Sequence, residues 1–151
     1  MRFGILASLP FFALNYYLGL FALENGLLKQ AEKHFQTVSS VGGKLASSAR
    51  DKQVEVRAAV GLQKFAKLVE TMEKIIVDNK KLPDVEKDPL KRAEKHKSCR
   101  RALEQLAKDC DKFIKDYAGA EAGDKAKVLR KDVASEIAAV TADIEATHRE
   151  A

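Results

Sequence analysis

Apolar and polar positions divide this chain into two styles. From Phe3 to Leu23, FGILASLPFFALNYYLGLFAL, 21 residues pass without a charge. Beyond them, apolar residues recur every three or four positions, the spacing that lines one face of a helix. Val54, Ala58, Gly61/Leu62, Phe65, Leu68/Val69, Met72 and Ile75/Ile76 form the first such stripe. It predicts a long helix that begins between Lys44 and Val54 and stops near Lys80. The next segment, Lys80 to Pro89 (KKLPDVEKDP), carries two prolines and reads as a loop, because proline disfavours helix at the residue before it. Asp88 then suits an N-cap with Pro89 at the first helical position. The helix it opens carries Cys99, Leu103, Leu106, Cys110, Phe113/Ile114 and Tyr117 on one face and closes at Gly119. After the turn Gly119–Gly123, Asp124 is the expected cap of a last helix lined by Ala126, Leu129, Val133, Ile137, Val140 and Ile144.

Three one-sided stripes must cover one another, and short connections make neighbouring helices antiparallel. The predicted fold is all-α: an antiparallel helical bundle of three long helices plus a short one at Leu27–Val41, with a hydrophobic N-terminal helix. Two segments follow, 1–25 as the hydrophobic helix and 26–151 as the bundle. The same stripes would also serve extended coiled coils that assemble between chains.

A helix over residues 3–23 reaches about 30 Å, the hydrocarbon thickness of a bilayer. Three readings follow for it: a membrane anchor, a secretory signal removed after Leu20-Phe21-Ala22, and a helix buried within a soluble assembly. Asn15 at mid-span, Pro10, and the paired Tyr16 and Tyr17 away from the ends weigh against a span. Phe3, Phe11, Phe12, Leu14, Leu18 and Phe21 are the residues expected to face a membrane or a partner. Lys29, Lys33, Lys44, Arg50 and Lys52 on the far flank outweigh Arg2 and favour a cytosolic body.

Leu18-Gly19, Gly26, Ala31 and Phe35, with Leu28 and Val38 beside them, fall on the small and large packing positions of a helical hairpin. Residues 12–40 thereby resemble a single tetratricopeptide hairpin. In that family small residues let the two helices approach while the phenylalanine fills the gap. Asn15 stands where the family has Trp, Ala22 where it has Tyr, and no proline closes the unit. About 34 residues further on, Lys52-Gln53, Val60, Phe65 and Val69 occupy the slots, so the pattern does not repeat. The resemblance implies a peptide-binding adaptor, a function that in this family uses several stacked hairpins.

The formal charge of +5 changes the picture only locally. Lys80–Arg101 holds nine Lys and Arg against four Asp and Glu, so the whole excess lies there. Arg92, Lys95 and His96 extend the Cys99–Tyr117 face backwards with polar groups, so the first turns are expected to stay unburied, projecting from the bundle or lying at one end of it. Lys91, Arg92, Lys95, Lys97, Arg100 and Arg101 form a basic patch that reads as a solvated charged tip or as a surface suited to anionic lipid or an acidic protein. No aromatic residue interleaves with them, which disfavours nucleic acid.

Candidate chemistry is sparse. Cys99 and Cys110 are eleven positions apart on one helix, about 16 Å, beyond the roughly 7 Å a disulfide allows. They read as core thiols or as partners in bridges between chains. His34, His96 and His148 are scattered, and Glu145 with His148 is a lone helical pair without the further ligands of a metal site. No nucleophile elbow, phosphate loop or paired core carboxylates occur, so no catalytic, cofactor-binding or metal-binding residues are expected.

The sequence therefore points to a non-enzymatic, membrane-associated assembly or accessory subunit. It would be held by one N-terminal span and would contact a protein partner or further copies of itself. The alternatives are a secreted binder of an apolar ligand and a tetratricopeptide-like adaptor.

Overall fold

The computed structural model describes residues 11–41 and 43–151. These residues are all-helical and fall into five helices: α1 Phe11–Glu24, α2 Leu28–Val41, α3 Ala46–Val85, α4 Pro89–Asp116 and α5 Glu121–Glu150. The chain divides into two compact units, Met1–Val60 and Gly61–Ala151, so the boundary falls within α3.

In the N-terminal unit α1 and α2 form a hairpin. Its turn is set by Gly26, whose φ of 72° places it in the left-handed region that glycine enters without a Cβ penalty. The core gathers Ala22, Leu28, Ala31, Phe35, Val38, Ala49 and Val56, with Phe12, Tyr16, Leu20 and Leu23 packed on it. Small residues on α1 and α2 let the backbones approach, and Phe35 occupies the space between. The helix expected as a fourth bundle member thus contributes its buried face to this unit.

In the C-terminal unit one core combines Met72 of α3, Leu103, Leu106, Ala107 and Cys110 of α4, and Leu129, Val133, Val140 and Ile144 of α5. These are the stripes read from the sequence. Asp111 meets Arg130 at 3.0 Å near the α4–α5 connection, and Arg92 meets Glu150 at its other end. That register requires α4 and α5 to run in opposite directions. Asp88 caps α4 as expected, its carboxylate accepting from Leu90 N at 3.0 Å, with Pro89 at the helix start.

Two boundaries differ from expectation. Residues 80–85 continue α3 instead of forming a loop, and Pro83 lies inside the helix. Burial explains this: Asn79 and Leu82 are buried one turn apart, so the stripe runs on past Lys80 and holds the last turn against the missing N–H of Pro83. The true connection is residues 86–88. Asp124 does not cap α5; Ala120 occupies the N-cap without a side-chain bond, and Asp124 sits in the first turn. Gly123 makes the early start sterically feasible, since a Cβ there would stand 2.2 Å from the Tyr117 carbonyl oxygen.

No helix among the described residues is long and apolar enough to cross a membrane. Residues 3–10 of the uncharged run, Phe3 included, lie outside the described residues.

Candidate functional site

The most distinctive surface is the face of α1 turned away from α2. Asn15, Gly19 and Ala22 make the inner face. Gly19 lies against the Phe35 ring so closely that a Cβ would be 2.6 Å from Cε1. Tyr16 meets the same ring edge-on, with centroids 5.8 Å apart. Asn15, which reads as a defect in a hydrophobic span, is the polar anchor of the hairpin. Its Nδ2 donates to Phe11 O at 2.9 Å, and its Oδ1 accepts from His34 Nδ1 at 2.9 Å.

This commitment leaves Phe11, Leu14, Tyr17, Leu18 and Phe21 on the opposite face, exposed by between 40% (Leu18) and 67% (Phe11). Four of the residues expected to face a membrane or partner, Phe11, Leu14, Leu18 and Phe21, are therefore brought together. Phe12 is not among them, because it packs on the core. Tyr17 joins the stripe and was missed by the sequence reading, although its i, i+3, i+4 relation to Leu14 and Phe21 carried the signal.

The second feature lies at the end of the C-terminal unit, where Asn79, Lys80, Arg92, His96, Asp143 and Thr147 are among the residues lining a cleft of about 710 Å³. Asn79 Nδ2 donates to Asp143 Oδ2 at 3.0 Å, and its Oδ1 accepts from His96 Nδ1 at 2.6 Å. The Arg92 guanidinium donates to Glu86 O at 3.1 Å and pairs with the Glu150 carboxylate. Arg92 and His96 are buried, which corrects the expectation that the first turns of α4 are left unburied. The amphipathic face continues there as a paired polar layer, and buried polar groups of this kind require partners.

The remaining basic residues are partly neutralised. Lys95 meets Glu86 at 2.8 Å, Lys97 meets Glu94 at 3.0 Å, and Arg100 lies 3.9 Å from Glu104. Arg101 donates to Ser98 Oγ at 3.1 Å, and Lys91 adds its charge near Glu86. Hydrogen bonds from Lys95 and Lys97 hold the Glu86 and Glu94 carboxyls below their ordinary range. The patch is thus a mixed-charge surface.

Burial pushes the His96 imidazole below its ordinary value near 6.5, and Arg92 adds to the effect while Asp143 opposes it. The unfolded chain then takes up this proton before the folded one. His96 contributes stability that is present above pH about 6.5 and declines as pH falls through the window between the unfolded and folded values. His96→Gln should flatten that part of the curve of melting temperature against pH; an unchanged slope between pH 7 and 5 would remove His96 as its source.

Both cysteines are free, Cys110 buried and Cys99 half-buried, and burial raises both thiols. Among the described residues no group of three or more His, Cys, Asp and Glu side chains is placed to hold a metal ion. The class defined by these observations is an all-helical protein with an exposed apolar face on α1. No protein-family model, curated protein or solved structure matches the chain.

Proposed function

We propose that the protein is a non-enzymatic assembly or accessory subunit that docks onto a protein partner through the outer face of α1. The observation that carries this reading is the stripe Phe11, Leu14, Tyr17, Leu18 and Phe21, exposed although the helix's other face is fully engaged. Contiguous apolar surface of this kind marks an interaction site. The C-terminal unit, read as an antiparallel bundle, serves as the body that such a subunit presents.

Protein suits this face better than hydrocarbon. A span over residues 3–23 would have to surrender the Gly19–Phe35 packing or carry α2 with its exposed Lys29, Glu32 and Lys33 into lipid, and buried charges there are costly. The secreted-binder alternative gains no support from the cleft at Arg92, whose lining carries the charged side chains of Lys80, Lys87, Arg92, Asp143 and Glu150.

Leu14→Glu/Tyr17→Glu places two carboxylates on exposed positions, so the fold should survive by circular dichroism. The variant should elute at lower mass than the wild type, having left its assemblies, on size-exclusion chromatography of its native cell extract. Its persistence in them would contradict the reading.

One observation favours a second reading as an adaptor. Gly19 beneath the Phe35 ring and buried Ala31 are the packing positions on which the hairpin is similar to a tetratricopeptide unit. Under it, Gly26→Leu, which strains the turn although its Cβ meets nothing within 4 Å, should abolish partner capture with amide protection in α4 and α5 unchanged. Undiminished capture would count against the adaptor.

A further inference from the structure

We infer that the partner seated on α1 is a second copy of this chain, paired antiparallel about a two-fold axis; this rests on the proposed docking role of that face. The stripe is close to a palindrome. Phe11 and Phe21 lie equally far from residue 16, as do Leu14 and Leu18.

Turning one helix end for end about that point sets Phe11 against Phe21 of the partner subunit and Leu14 against Leu18 of the partner subunit. Tyr17 of each chain lies beside the axis. A two-fold contact uses the same patch on both subunits, so it requires this kind of self-complementarity.

Charge and area agree with the pairing. No Asp, Glu, Lys or Arg occurs between Phe11 and Leu23, and Glu24 is the sole charged residue of α1. Identical faces therefore meet without like-charge repulsion, and antiparallel helices oppose their dipoles favourably. With aromatic side chains of about 150–250 Å² each, the exposed part of the stripe is on the order of 500 Å². Two copies then bury on the order of 1,000 Å², the lower end of what a specific interface needs. The contact is thus sized for a reversible dimer.

Sedimentation equilibrium of the purified full chain tests this. The wild type should behave as a monomer–dimer equilibrium in the range of about 1–100 μM, as a contact near the lower size limit implies. Phe11→Glu buries a carboxylate against Phe21 of the partner subunit and should weaken dimerisation by about 100-fold or more. Phe11→Glu/Phe21→Lys places opposite charges together twice in the antiparallel register and should recover at least about tenfold of that loss. Circular dichroism confirms that the variants, altered at exposed sites, remain folded.

A double variant no better than the single one would overturn the antiparallel pairing. A wild type that stays monomeric throughout would overturn the dimer, whether it binds phosphatidylcholine vesicles, which assigns the face to lipid, or leaves them free. If that monomer still loses its cellular assemblies on Leu14→Glu/Tyr17→Glu, the docking role survives with a different protein. If it does not, both fail.

Discussion

Phe35→Ala should remove about 3–5 kcal/mol from the N-terminal unit, as truncation of a fully buried aromatic does. Phe35 is wholly buried and sits where Gly19, Tyr16 and the neighbouring Ala31 and Val38 converge. The close approach at Gly19 means the cavity cannot be refilled by a modest shift of α1, because Asn15 also ties that helix to His34. Hydrogen exchange should show amide protection collapsing over residues 11–41 by two or more orders of magnitude, as about 3 kcal/mol implies. Retained protection in α1 and α2 would mean that this ring is not what holds the hairpin. The prediction bears on function because the outer face of α1 exists as a stripe only while the inner face is packed.

Gly123→Ala should destabilise the C-terminal unit by about 1–3 kcal/mol or more. The sign is the informative part. Within a helix, alanine ordinarily gains roughly 0.5–1 kcal/mol over glycine. At position 123, however, the added Cβ would stand 2.2 Å from the Tyr117 carbonyl oxygen and 2.9 Å from its carbonyl carbon. Backbone cannot swing aside as a side-chain end can, so the α4–α5 connection must open. Tyr117, stacked on Phe113 with ring centroids 4.5 Å apart, would move with it. Chemical denaturation followed by circular dichroism measures the change; a stabilised variant would show that the connection yields freely.

How much of this was legible depends on which signal each element carried. The stripes of α4 and α5 were readable because Leu103, Leu106, Cys110, Val133 and Val140 repeat at helical spacing in an otherwise charged sequence, and all are buried. Asp88 was readable because capping is a local interaction. Pro83 misled because proline's local preference outweighed, on inspection, a burial pattern at Asn79 and Leu82 that only tertiary packing reveals. Arg92 and His96 misled for a related reason: charge suggests solvent until the partners, Glu150, Glu86 O and Asn79, are known to lie across helices. Asn15 was read against a bilayer, whereas its partner is His34, nineteen residues away. The uncharged run hid the two-sidedness of α1, since Gly19 and Ala22 differ from Leu18 and Phe21 in size and hardly in polarity. Sorting such a helix into inner and outer faces requires knowing where α2 packs.

The central claim is that α1 gives one face to α2 and the other to a protein. Placing a photo-crosslinking benzoylphenylalanine at Tyr17 in the full chain, and for comparison at exposed Val128 of α5, tests it in the native cell. Irradiation should yield a discrete protein adduct from position 17 and none from position 128. Adducts confined to lipid at position 17, or equal protein adducts from both sites, would contradict the account.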